Sequence, residues 1–472
     1  MLINFPNRAH NANFRFDPIV RSLLDTDFYK LLMLQFIWKY YPDVHAEFSL
    51  INRTKSVKLA EIIDERELRD QLEAVRNLKF KRTELVWLAG ETFYGQRSIF
   101  EPEFIQWLGD FQLPGFTLSK DDDGQYDLTF CGTWAETTMW EIYAVSIVNE
   151  LRNRAGLASM SEFELDMLYA KGKSKLWDKI SRLNKLDGLK IADFSTRRRH
   201  SFLWQEYCVN ALTANLGTGF VGTSNAYIAF KHNLEAVGTN AHELPMVLTA
   251  LSDLIKQVVG KEKDKEKAGI LLDGFAVQFC DIVAKQSFLK AQYAVLAQWS
   301  VLYGQAMRVM LPDTYGSSQF YRNAPEFVTD FTGVRIDSKD PFVAGAEYIS
   351  WLAGKGETAI DKLLLFSDGL DVNNIEDLHN EFSGRARVSF GWGTLCSNDF
   401  RDCHPQGSHA LDPINLVCKV TTVGFEHEDK MCWTGAVKLS DNFDKATGSP
   451  KKIEDYRTVF GTEGVANVPQ NF

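Results

Sequence analysis

Several things are scarce in this 472-residue chain, and each shortage removes a class of protein. No stretch reaches the roughly 18 consecutive apolar residues of a membrane-spanning helix, so no membrane partner is expected. Cysteine is sparse, seven in all, odd in number and without a C-x-x-C pair, which speaks against a disulfide framework and for free thiols in a reducing setting. An excess of basic residues is missing too: the formal net charge is −10, so no nucleic-acid partner is expected. The stretch "MLINFPNRAHNANFRFDP" has no basic segment followed by an apolar one, so no export signal is read and a cytoplasmic location is expected. There is no short internal repeat, no low-complexity tract and no Walker loop. Cys396, Cys403, His404 and His409 lie close together in sequence, but their spacing fits no common zinc template and they read as ordinary loop residues.

What is present is an ordinary globular composition, 45% hydrophobic and 24% charged, long enough for two domains. The first third mixes elements. Asp25 and Thr26 are positioned to cap a helix whose apolar residues Phe28, Leu31, Leu32, Phe36 and Ile37 recur at helical spacing. "VHAEFSL" (44–50) alternates like a half-buried strand, residues 115–130 read as a hairpin turning at "DDDG", and a long apolar helix follows Trp134. From about residue 185 the pattern changes. Seven short apolar runs recur, each ending in polar residues and followed by a helical stretch: "LKIADFSTRRR", "GFVGTSN", "EAVGTNAHE", "MRVMLPDT", "GVRIDSKDP", "LLLFSDGLD" and "RVSFGWGT". Apolar strands alternating with helices predict parallel β/α units, and seven or eight in series favour a closed barrel over an open sheet. A barrel carries its site at the C-terminal strand ends, where these polar residues fall, so an enzyme is expected. Residues 250–290 interrupt the rhythm, and "GKEKDKEKAG" (260–269) reads as a solvated loop or helix end. "DPINLVCKV" and "GAVKLSD" read as strands outside the barrel series that return to the N-terminal domain. The expected division is therefore an α+β domain over 1–155, joined by 410–472, and an α/β barrel over 156–409.

The strand ends hold the chemistry. Pro245 must lie in the first turn of its helix, which leaves His242 in the cap before it, where free N–H groups lower the pKa of a neighbouring imidazole. A buried His bonding to local backbone and a poised base or nucleophile both fit that position. "FSTRRRH" offers three arginines, which suit carboxylate or phosphate. Arg335, Asp337 and Asp340, with Asp313, Asp368 and Asp371, suit ribose hydroxyls, or Mg²⁺ beside a phosphate-bearing substrate, although each Asp alone would serve as a helix cap. Gly391 and Gly393 form a glycine-bearing turn that lets backbone N–H groups approach a phosphate.

Taken in order, "LLDTDFYK", "GTWAETTMWE", "DFSTRRRHSF", "GTSN", "GTNAHE", "GVRIDSKDP", "LLLFSDGLD", "SFGWGT" and "VKLSD" resemble the nicotinate phosphoribosyltransferase family across nearly the whole chain. The resemblance implies an N-terminal α+β domain completed by C-terminal strands, packed on an irregular α/β barrel, in homodimers with sites at the subunit interface. It implies that nicotinate and 5-phosphoribosyl-1-pyrophosphate give nicotinate mononucleotide and pyrophosphate, with Mg²⁺ and with ATP as co-substrate. By the same resemblance His242 is phosphorylated, with Asp313 and Glu243 orienting it; Phe194 and Tyr29 sandwich the pyridine ring; and Arg197, aided by Ser224, meets the carboxylate. Arg335 and Asp337 match ribose and phosphate positions, while Asp368, Gly369, Gly391, Gly393 and Thr394 match those holding the 5-phosphate and ribose. Three departures stand out: Ser195 and Lys339 replace glycines, and His200 replaces an apolar residue. Ser tolerates positive φ less well than Gly, so a shifted loop after Phe194 is expected. Lys339 is expected to add a cation near the phosphates. The competing readings are a nicotinamide- or quinolinate-using relative, a silent homologue that senses phosphoribosyl ligands, and an unrelated barrel lyase acting on sugar phosphates. "GTSN" offers no acid for an amide, which favours nicotinate over nicotinamide.

Overall fold

Alternating apolar residues make the first sheet. In His45–Asn52 every second residue is buried, the signature of a strand with one face on a core. This computed structural model describes residues 14–467; residues 1–13, the start of the segment read for an export signal, lie outside them. His45–Asn52 pairs antiparallel with Tyr126–Thr133 on one side and Leu416–His427 on the other. Phe116–Lys120 and Lys430–Gly435 form the two edges of this five-stranded sheet. Strands from the two ends of the chain thus share one sheet.

The second sheet is parallel and has six strands, in the order Phe220–Thr223, Ile191–Asp193, Arg387–Trp392, Leu363–Phe366, Gly333–Ile336, Val309–Met310. Six of the seven expected runs are therefore strands. The seventh, "EAVGTNAHE", contributes a single bridge from Ala236 to Thr223. The ladder goes no further there: Ser224 and Asn225 pair instead with Phe28 and Asp27, and Gly238 packs against the Tyr29 backbone, where a Cβ would stand 2.7 Å from Tyr29 N. The ring expected from the sequence is accordingly not closed by backbone pairing. Asn240 Nδ2, 3.4 Å from the carbonyl of Val309, spans the remaining gap.

A helix buried along most of its length, Trp140–Leu157, lies between the sheets. Its apolar residues fill the core, and polar residues on one face reach the loop after Phe194. Asn149 Nδ2 donates to the carbonyl of Arg199 at 2.8 Å, and Asn153 Nδ2 to that of His200 at 3.1 Å. The helix Phe28–Tyr40 begins at Asp27, which makes no capping bond. Asp25, expected to cap it, instead receives both terminal nitrogens of Arg199, at 2.6 and 2.8 Å. The charged run 260–269 forms a turn and the first residues of the helix Lys265–Phe279. Among the described residues no helix is long and apolar enough to cross a membrane.

Candidate active site

The C-terminal ends of the parallel strands and one face of the first sheet enclose a cavity of about 150 Å³. The parallel sheet supplies Phe194, Arg197, Arg198, Arg335, Asp337, Asp368, Gly369, Gly393 and Thr394, and the helix start supplies His242. The other wall brings four cations that sequence reasoning did not single out: Arg53, Lys419, Lys438 and Lys445. Seven cations and two carboxylates, Asp337 and Asp368, face the space. One signal for Lys419 was present in the sequence: in a strand, Val417 and Lys419 point the same way, and both line the cavity.

His242 stands at the N-cap of the helix Glu243–Val259. Its Nε2–H donates to Asp337 Oδ2 at 2.8 Å, and Nδ1 accepts from Thr314 Oγ1 at 3.0 Å. Asp313 Oδ2 lies 3.8 Å from Nε2. Burial, and then the nearby Lys438 ammonium, lower the pKa of His242 against the opposing pull of Asp313 and Asp337, so the ring is neutral at pH 7. Burial alone would raise the pKa of Asp337, but Arg335 and His242 hold it well below the usual carboxylate range. Arg335 is fixed in turn, with Nε on Ser367 Oγ at 2.8 Å and Nη1 on the carbonyl of Asn240 at 3.1 Å.

Glu243, expected beside His242 as an orienting group, points elsewhere. One residue along a helix is a rotation of about 100°. The carboxylate pairs with Lys30 and accepts from Trp134 Nε1 at 2.7 Å and Thr138 Oγ1 at 2.6 Å, deep in the N-terminal domain. It anchors the helix; Asp337 and Thr314 hold the His242 ring.

The three consecutive arginines divide. Arg197 reaches Glu141 Oε1 at 3.0 Å and Asp27 Oδ2 at 3.6 Å, with its side chain 28% exposed at the cavity. Arg198 is pinned by the carbonyl of Leu416 and by Asn415, and burial together with Arg197 lowers its pKa to about 10. Arg199 is fully buried on Asp25 and is not part of the site. Glu141 ties these groups together: it also receives Lys30 at 2.7 Å and Lys419 at 3.2 Å.

Other candidates fall outside the cavity. Gly391 does not line it; a Cβ there would overlap the ring of Phe194, so this glycine makes room for the aromatic rather than for a phosphate. Tyr29 is buried against Gly238 and is not among the lining residues. Ser224 is buried and donates its hydroxyl to Asp27 Oδ1 at 2.6 Å. An acid therefore does stand beside "GTSN", contributed by the distant segment "TDFYK". Lys339 is not a phosphate-facing cation: it binds Ser318 Oγ at 3.0 Å and Glu347 Oε2 at 2.6 Å. Ser195 has φ −95°, which demands no glycine; its hydroxyl and N–H both donate to Asp193. His200 is buried, ring to ring with Phe400 at 4.0 Å, and accepts from the Tyr169 hydroxyl at 3.0 Å. Among the described residues, the group that could gather around a metal ion is His242, Asp313 and Asp337; Cys396, Cys403, His404 and His409 form no such cluster.

Comparison with known proteins follows the same lines. Residues 189–463 match the model of the nicotinate phosphoribosyltransferase family, and residues 24–149 match that of its N-terminal domain. A crystal structure of nicotinate phosphoribosyltransferase from Porphyromonas gingivalis is similar over 94% of this chain and 100% of its own, at 25% identity and a TM-score of 0.75. One from Vibrio cholerae is similar in fold over 95% of each chain, at 24% identity and a TM-score of 0.76.

Proposed function

Because this chain belongs to the nicotinate phosphoribosyltransferase family, we propose that it joins nicotinate to 5-phosphoribosyl-1-pyrophosphate, giving nicotinate mononucleotide and pyrophosphate, and couples this step to ATP through a phosphohistidine at His242. The observation that carries the reading is the cavity itself: seven cations facing two carboxylates, with an aromatic ring, Phe194, on its wall. Such a lining suits a substrate pair bearing a pyrophosphate, a phosphate and a carboxylate.

In this reading Phe194 stacks on the pyridine ring and Arg197 meets its carboxylate. The pyridine nitrogen attacks C1 of the ribose with its own lone pair, so no general base is required. The C1–O bond to pyrophosphate breaks, and its electron pair leaves on pyrophosphate. Charge builds on the departing oxygens and on an oxocarbenium-like C1. Arg335, Arg198 and the lysines of the opposite wall stabilise the leaving group electrostatically. Gly369, at φ +57°, and Gly393, whose Cβ position is open, leave room for the 5-phosphate. Asp337 and Asp368 offer the hard oxygen donors that Mg²⁺ takes, and both face the cavity, so the residues fit the ion. When bound it would neutralise pyrophosphate charge.

For the ATP half-reaction, a ring nitrogen of neutral His242 takes the γ-phosphoryl group, and the P–O bond to ADP breaks with its electron pair on ADP. The N-cap position favours the added negative charge. The homodimer rests on the family alone, since Tyr29 is buried within its own chain beside Arg197. A nicotinamide-using enzyme has one observation on its side, the carboxyl group of Asp27 beside Ser224; the Arg197 guanidinium weighs against it.

The test is turnover with nicotinate or nicotinamide, phosphoribosyl pyrophosphate and Mg²⁺, with and without ATP, in the wild type and in His242→Ala. Nicotinate turnover that ATP stimulates, with the stimulation lost in the variant, is expected. Product from nicotinamide alone would overturn the substrate assignment. Equal ATP stimulation in the variant would overturn the phosphohistidine.

A further inference from the structure

The three cavity lysines are not equivalent. Lys419 is bonded to Glu141, and Lys445 to Asp368 and to the carbonyl of Asp337. Lys438 is as deeply placed, with its side chain 8% exposed, yet among the described residues its ammonium makes no hydrogen bond. Its nearest carboxylate oxygen, Asp313 Oδ2, is 3.9 Å away. A buried ammonium with three unmatched donors is costly unless an anion completes it.

The backbone fixes where those donors stand. Lys438 pairs with Thr447 in a short antiparallel bridge, its N–H donating at 3.0 Å and its carbonyl accepting at 2.9 Å. The next two N–H groups, of Leu439 and Ser440, both donate to the carbonyl of Thr314. Thr314 is the residue whose hydroxyl holds His242 Nδ1. The segment of Lys438 and the His242 ring are therefore anchored on one residue, Thr314 at the end of the turn Pro312–Thr314, and both line the cavity.

We propose that Lys438 is a catalytic residue of the ATP half-reaction, its ammonium binding the phosphoryl group as His242 takes it from ATP. The proposal rests on the phosphohistidine reading and adds the group that stabilises it. The ammonium has two effects at that position. It adds to burial, the larger cause, in favouring the unprotonated imidazole. It also supplies donors to the phosphoryl oxygens as negative charge moves onto His242. The charged groups around it are Asp313 and Asp337, which favour its protonated form, and His242, Lys445 and Lys419. Burial prevails and lowers its pKa to about 8.

The experiment is single-turnover labelling with γ-³²P-ATP and Mg²⁺ at saturating ATP and neutral pH, in the absence of pyridine, quenched in alkali. The wild type is expected to label, and His242→Ala is expected not to label. Lys438→Met should label about 100-fold more slowly, the loss expected for one transition-state donor. Lys438→Arg keeps a permanent cation and should label within about threefold of wild type. Lys438→Gln takes the place of Lys438→Met if that variant does not fold. Wild-type labelling in Lys438→Met, or a loss in Lys438→Arg as deep as in Lys438→Met, overturns the role of Lys438 while leaving the phosphohistidine intact. No labelling of the wild type overturns both.

Discussion

Gly391 exists for Phe194: a Cβ at residue 391 would occupy the space of the Phe194 ring. The two meet because the strand Arg387–Trp392 runs beside Ile191–Asp193, and Phe194 continues that pairing by donating its N–H to the carbonyl of Trp392 at 2.9 Å. Gly391→Ala should therefore turn the aromatic away from its seat. Over-packing of this kind costs about 1–3 kcal/mol, felt here as lost ring stacking. The KM for nicotinate should rise roughly tenfold or more, a factor of ten being about 1.4 kcal/mol, while the KM for phosphoribosyl pyrophosphate changes little. Steady-state kinetics with each substrate varied would check this, and a parallel rise in both constants would refute it.

Gly391 also shows where reading by residue type stops. A glycine-bearing turn after a strand suggests a phosphate cradle, and sequence alone has no means to see that the hydrogen replaces a clash with a residue 197 positions away. The strand ends themselves were legible, because short apolar runs closing on Asp, Arg or Gly identify parallel strands. At "EAVGTNAHE" the difference is tertiary: Asp27 and Phe28, from another part of the chain, pair with Asn225 and Ser224, and Tyr29 packs on Gly238. His242 and Glu243 are adjacent in sequence yet face a cavity and a buried lysine, because helical rotation separates neighbours. Of the cations Arg53, Lys419, Lys438 and Lys445 only Lys419 lies in a strand of the first sheet; Arg53 follows His45–Asn52, and Lys438 and Lys445 lie beyond Lys430–Gly435, so no local pattern gathers them.

Arg197→Gln should separate recognition of a carboxylate from recognition of the ring. The guanidinium is shared with Glu141 and Asp27, with its exposed part at the cavity. Hydrogen bonds to charged groups are worth about 1.5–3 kcal/mol. The variant should therefore lose one to two orders of magnitude in kcat/KM for nicotinate and far less for nicotinamide. An equal loss with both pyridines would place Arg197 away from the carboxylate.

Ser195→Gly restores the residue usual in the family, yet it should confer no gain in turnover. The backbone at Ser195 is right-handed, φ −95° and ψ −4°, so glycine relieves no strain. The hydroxyl is buried, donates to Asp193 and accepts from Ser397 Oγ at 2.5 Å. Losing these bonds and adding unfolded-chain entropy should lower stability by about 1–2 kcal/mol. Chemical denaturation would read the loss; a more stable or markedly faster Ser195→Gly enzyme would contradict it.

His200 gives the fold an acid limit distinct from the site's own chemistry. Burial, and then the Arg152 cation, lower its pKa to about 3 in the native state, against about 6.5 in an unfolded chain. The native ring stays neutral, accepting from Tyr169 and packed on Phe400. A depressed native pKa means that the unfolded state binds the extra proton between those two values. The stabilisation is therefore complete above about pH 6.5 and is lost as pH falls toward 3. Within that window the slope from this one group is up to about 1.4 kcal/mol per pH unit. His200→Phe, which keeps an aromatic ring against Phe400 but cannot titrate, should flatten the decline in unfolding free energy between pH 6.5 and 4.5. Urea denaturation at half-unit pH steps would measure both curves, and parallel curves would mean that His200 takes no part in the acid limb.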